Sequence, residues 1–127
     1  MAKEDYENGL KVRTEVMGEA FVQKAIDNTN ETTQDLQDWI NEHAWGSTWQ
    51  RKGLPRSTRS LVTIGMLAAL KAPTELKGHV RGALNNGCTP EEIKEVLLHS
   101  IVYCGAPAAQ EAFRAAKEVL EEYEATK

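Results

Sequence analysis

Apolar residues along this chain return every three or four positions, and the strict alternation of a half-buried strand is missing. The segment TPEEIKEVLLHSIVYCG shows the pattern best. Thr89 fits an N-cap, Pro90 the first helical position and Glu92 the reciprocal capping partner. Ile93, Val96, Leu97, Ile101 and Cys104 then keep helical spacing until Gly105 and Pro107 stop the helix. Leu98 and Val102 widen the stripe until little of this helix is polar, which predicts burial on most sides, in a core and at a subunit interface.

The same periodicity predicts a helix from near Pro55 through SLVTIGMLAAL to Lys71, and another over TELKGHVRGALNN ending at Gly87. A last one over PAAQEAFRAAKEVLEEY gathers Ala112, Phe113, Ala116, Val119, Leu120 and Tyr123 on one face. Upstream, DLQDWINEHAW puts Leu36, Trp39, Ile40 and His43 on one side, with Gly46 as the expected stop. Residues 4–17 and 19–28 form two weaker helices. The expectation is an all-α, single-domain helical bundle of about six or seven helices spanning residues 1–127.

Composition adds bounds. The 127 residues are 41% hydrophobic and 27% charged, as in an ordinary globular domain. The longest uncharged run, Ser60 to Leu70, is too short to span a bilayer, so no membrane is expected. MAKEDYENG has no apolar stretch behind its charges and does not read as a secretory signal. Two cysteines, Cys88 and Cys104, spaced neither as CxxC nor as a disulfide framework, suit free thiols in a cytoplasmic protein. Formal net charge is -4, which argues against a nucleic-acid partner.

The acidity is unevenly spread. From His43 to Thr74 there is no Asp or Glu, while Arg51, Lys52, Arg56, Arg59 and Lys71 all fall inside, along with Trp45 and Trp49. A helix start after Pro55 leaves free N–H groups near Arg56 to Thr58, and the helix dipole adds positive potential there. Arginine forks take carboxylates in bidentate fashion, and indoles supply dry walls with an N–H donor. The stretch reads either as an exposed basic loop or as a pocket for a small, flat organic anion.

Glu75 and His79 stand four apart, one turn from each other, with Gly78 and Gly82 beside the histidine. They form either a surface pair or an acid–base pair in which Glu75 orients His79. Spacing does not decide. His99, one turn from Glu95 and Tyr103, reads as a buried structural histidine. Three isolated histidines make a poor metal signature, so no metal is expected. Both cysteines read as packing rather than as nucleophiles.

Nearly the whole chain resembles the carboxymuconolactone decarboxylase family of the alkyl hydroperoxidase D-like all-α superfamily. The likeness is carried by YENGLKVRTEVMG, AWGSTWQRKGL, RSLVTIGMLAAL and ELKGHVRGALNNGCTPEEIKEVLLHSIVYCGAPAA. The resemblance implies a homo-oligomer, a hexamer. It also implies a dicarboxylate lactone substrate, γ-carboxymuconolactone, that loses CO2 without a cofactor and yields β-ketoadipate enol-lactone in aromatic catabolism. In such a reaction Arg51, Arg56 and Arg59 would hold carboxylate or oxyanion, Trp45 and Trp49 would wall the pocket, and His79 with Glu75 would deliver the proton.

Aligned on His79, the thiol-peroxidase branch of the superfamily has its two cysteines at Ala72 and Glu75 and a glutamate at Ser60. Peroxide reduction by a thiol needs a thiolate and a resolving partner, so that activity is not expected. Two other readings stay open: a family member acting on another lactone or keto acid, and a non-catalytic oligomeric ligand-binding protein.

Overall fold

The computed structural model describes residues 2–127, with side chains from Glu4 onward. Among the described residues all regular structure is helical, as the periodicity predicts. The elements are α1 (Ala2–Met17), α2 (Glu19–Asp27), α3 (Gln34–Trp39), a π-helix (Ile40–Thr48), α4 (Arg56–Ala69), α5 (Pro73–Asn85), α6 (Pro90–Cys104) and α7 (Ala106–Ala125). Two compact units part between Pro55 and Arg56.

In the first unit α1 lies along the π-helix. Val12, Val16, Met17 and Trp45 are buried together, with Ile40, Ala44 and Trp49 packed on them. Two glycines set the closeness of this crossing. A Cβ on Gly9 would run into the Asn41 carbonyl and the Gly46 amide, and one on Gly46 would run into the Asp5 carbonyl. Gly46 therefore does not end a helix, as the sequence suggested. It sits inside the π-helix, because the glycine is needed for contact with another backbone rather than for a left-handed turn.

The second unit is an α4–α7 bundle whose buried core takes Ile64 and Ala68 from α4, Leu76, Val80 and Ala83 from α5, and Ile93 and Leu97 from α6. From α7 come Ala112, Ala115, Ala116 and Val119, small residues that let the neighbouring helices approach. The capping box of α6 forms as its sequence dictates: Glu92 N–H donates to Thr89 Oγ1 at 3.1 Å and Thr89 N–H to Glu92 Oε1 at 2.9 Å. Gly105, at φ 88°, separates α6 from α7. Two ion pairs, Lys77–Glu118 at 2.6 Å and Arg81–Glu122 at 3.4 Å, tie α5 to α7 on the surface.

The single chain's own core covers α6 on one side: Leu98, Ile101, Val102 and Tyr103 are exposed, the last two at 74% and 77%. One bundle of this size covers only the α6 face that carries Ile93 and Leu97. His99 lies on the side that one chain leaves uncovered, exposed, with its ring 5.1 Å from that of Tyr103, so the chain's own core does not bury it as the sequence suggested.

Candidate functional site

The acid-free stretch begins inside the π-helix. His43 O accepts from both Ser47 Oγ (2.9 Å) and Thr48 Oγ1 (2.8 Å), and Trp49 N–H reaches Ala44 O at 2.9 Å, five residues back. Such widened turns are rare and recur at functional sites. This one brings Trp45 and Trp49 into a stack, with ring centroids 4.8 Å apart and planes 28° from parallel. Trp45 is buried in the first unit's core, while Trp49 is half-buried and offers the more accessible indole. Arg51 follows on the surface. Trp39 and His43, also 4.8 Å apart, form a second ring pair.

The other candidates lie in the second unit. Arg56 opens α4 and Arg59 stands one turn along, both half-buried, where the helix N-terminus adds its own positive potential. The first turn of α4 is fixed against the end of α5 and the loop after it. Asn86 Nδ2 donates to Ser60 Oγ at 2.9 Å and to Arg56 O at 3.4 Å, and the Cys88 thiol donates to Ser57 O at 3.3 Å. Burial, and secondarily the charge of Glu92, push that thiol's pKa upward, away from the thiolate a redox role requires.

On α5, Leu76, Val80 and Ala83 face the core as the spacing predicts, and Gly78 and Gly82 are buried as well. Glu75 lies exposed in the first turn. His79, one turn later, is half-buried, with Nδ1 withdrawn from solvent. The structure thus joins Arg56, Arg59, Glu75 and His79 on one packed helix pair, α4 and α5, and Trp45 and Trp49 on one π-helix. Each group is held within its own unit.

The larger concavities of the second unit lie elsewhere. A groove of about 620 Å³ between α6 and α7 is walled by Leu97, Phe113, Ala116 and Leu120 and holds none of the candidates. Another, of about 520 Å³, carries Glu91, Glu92 and Glu95, which would repel an anion. Among the described residues no three or more His, Cys, Asp or Glu side chains gather as a metal centre needs, and no helix is long and apolar enough to cross a membrane.

Reasoning from sequence passed over Arg13, Gln37 and Asn41. Arg13 is 8% exposed, and its Nη1 donates to Gln37 Oε1 and Asn41 Oδ1, both at 3.0 Å. The signal was present: Arg13 falls four residues after Gly9 and three before Val16, on the buried stripe of α1.

Comparison with known proteins agrees with this architecture. The model of the family described as "Carboxymuconolactone decarboxylase family" matches residues 34–118, a span that runs through both units. A 4-carboxymuconolactone decarboxylase of Acinetobacter baylyi is 49% identical over 117 residues, 92% of this chain and 87% of that protein. A nitrosuccinic acid decarboxylase of Metarhizium robertsii is 48% identical over 107 residues, 84% of this chain and 75% of that protein.

Proposed function

The chain belongs to the carboxymuconolactone decarboxylase family, and on that premise we propose that it is a carboxy-lyase converting γ-carboxymuconolactone to β-ketoadipate enol-lactone. The observation that carries the reaction is the 49% identity to a decarboxylase of that name over 92% of the chain. The reaction belongs to the protocatechuate branch of aromatic catabolism, which suits a cytoplasmic enzyme.

The substrate sets the tasks. When the ring carboxylate leaves as CO2, its bonding pair moves through the adjacent C=C onto the lactone carbonyl oxygen, and a proton then returns to carbon. The lactone is its own electron sink, so no cofactor is required. The protein must hold the remaining carboxylate, favour the developing oxyanion and supply the proton. Arg56 and Arg59, with the N-terminal N–H groups of α4, are assigned the anionic groups. His79 is assigned proton delivery and Glu75 its orientation. Trp45 and Trp49 are assigned the apolar wall that keeps the departing carboxylate poorly solvated, and Arg51 a supporting contact to an anion. The half-burial of His79 and of both α4 arginines favours this distribution over a solvated basic surface.

The chain is proposed to act as one domain and to assemble as a homo-oligomer, a hexamer. Two exposed apolar stripes of the second unit support assembly: Val62 and Met66 on α4 with Leu70 just after it, and Leu98, Ile101 and Val102 on α6. Light scattering on the purified protein tests this, and a monomer at micromolar concentration would refute it.

The test of the reaction is to supply enzymatically made γ-carboxymuconolactone and follow CO2 and enol-lactone. Catalysed release of both is expected; no acceleration at micromolar enzyme sinks the proposal. The relative that decarboxylates nitrosuccinic acid favours a second reading, a different dicarboxylate whose departing CO2 leaves its electrons on an adjacent sink. Turnover of nitrosuccinate but not of the lactone would select it.

A further inference from the structure

We propose that Arg13, Gln37 and Asn41 form a second anion site, a pocket in the first unit that takes a short-chain carboxylate. It is separate from the residues assigned to decarboxylation.

The guanidinium of Arg13 is buried, yet among the described residues no carboxylate pairs with it. Its hydrogen bonds go to neutral amides. Gln37 Oε1 and Asn41 Oδ1 take the two N–H groups of Nη1, and Nε is buried with no hydrogen-bond partner. Two amide carbonyls orient a guanidinium but leave its charge uncompensated, and an uncompensated buried charge is costly. Desolvation is accordingly what lowers its pKa. The Nε and Nη2 edge that remains is a fork of parallel N–H groups, the geometry that suits a carboxylate. The Phe21 ring lies 5.9 Å from Cζ.

There is room for a ligand. Arg13, Gln37 and Asn41 all line one cavity of about 200 Å³ in this unit. Leu10, Val22 and Ile26 add apolar wall, and Tyr6 and Thr29 add hydroxyl-bearing side chains. That volume is below what drug-sized molecules occupy and suits a small acid with a short alkyl part. A purely structural arginine linking α1 to α3 and the π-helix would need neither the cavity nor the unfilled Nε. Because the amides already fix the guanidinium, an entering carboxylate would not have to order it.

The experiment is a calorimetric titration of the full-length protein with sodium propionate, at ionic strength held constant with NaCl, and with propionamide as the neutral isostere. Arg13→Met risks misfolding, so the informative variant is Gln37→Glu, which keeps the side-chain volume and places a carboxylate beside Nη1. Saturable propionate binding is expected in the wild type and in Arg59→Gln, with none for propionamide. Gln37→Glu should weaken propionate by at least about tenfold and melt at a higher temperature in plain buffer. Unchanged propionate affinity in Gln37→Glu overturns the proposal, and so does loss of binding in Arg59→Gln, which would place the anion on α4. An unresponsive wild type overturns it as well, as would follow if a carboxylate of a second copy already filled the pocket.

Discussion

The apolar core of the second unit joins twelve buried residues, nearly all small or aliphatic, whereas that of the first joins Val12, Val16, Met17 and Trp45, with a guanidinium held by amides near them in sequence. The first unit also spends backbone on a π-helix and on glycine contacts that admit no Cβ. Apolar burial contributes roughly 25 cal/mol per Å², so the larger aliphatic core is the main source of stability. The thinner unit depends on geometry that few side chains could reproduce. The proposed chemistry divides the same way. The proposed proton donor and anion clamp sit on α4 and α5 of the well-packed bundle, and the indoles sit at the π-helix. A reacting group gains most from a scaffold that cannot shift.

The largest effect that would sharpen this contrast is on turnover. His79→Ala should lower kcat by about 10²–10⁴ if the imidazole delivers the proton. The fold should survive, because His79 is only half-buried. Activity within a few-fold of wild type would remove the histidine from the chemistry and leave the second unit a scaffold only. Next in size, Leu76→Ala deletes a fully buried side chain of the larger core and should cost about 2–5 kcal/mol in denaturant unfolding. A loss well below that range would mean this core does not dominate stability.

A smaller effect tests the first unit. Gly46→Ala forces a methyl against the Asp5 carbonyl and should cost about 1–3 kcal/mol, with weakened near-UV ellipticity from the Trp45–Trp49 stack. An unchanged spectrum would show that the close crossing is dispensable. The smallest effect concerns Cys88. Its folded pKa is raised above the ordinary 9.0, first by burial and then by Glu92. Stability from the neutral thiol is therefore complete below pH 9 and is lost as pH rises through the folded value. Melting curves from pH 8 to 11 should fall less steeply for Cys88→Ala; superimposable slopes would show that the thiol contributes nothing.

Legibility followed the range of the forces involved. The ends of α6 were readable because Thr89, Pro90, Glu92 and Gly105 act within a turn of themselves. The start of α4, and with it the positions of Arg56 and Arg59, followed from Pro55 for the same reason. The π-helix was not readable: a glycine after EHAW looks the same whether it stops a helix or admits a crossing backbone. The exposure of His99 in the single chain was not readable, because an apolar helix suggests burial without saying how much of it one chain can cover. Arg13 does not stand out in the sequence, where it is one cation among many acids. Its importance lies in what surrounds it in space, two amides and a cavity.

The widened turn has a consequence for descent. A π-turn closes over one residue more than an α-turn. Removing one residue between Ile40 and Thr48 would let a widened turn close to ordinary α-geometry and would change which side chains within it share a face. The length of this stretch is thus inherited information in its own right. Among related chains, a one-residue gap here would mark a change of pocket more surely than most substitutions.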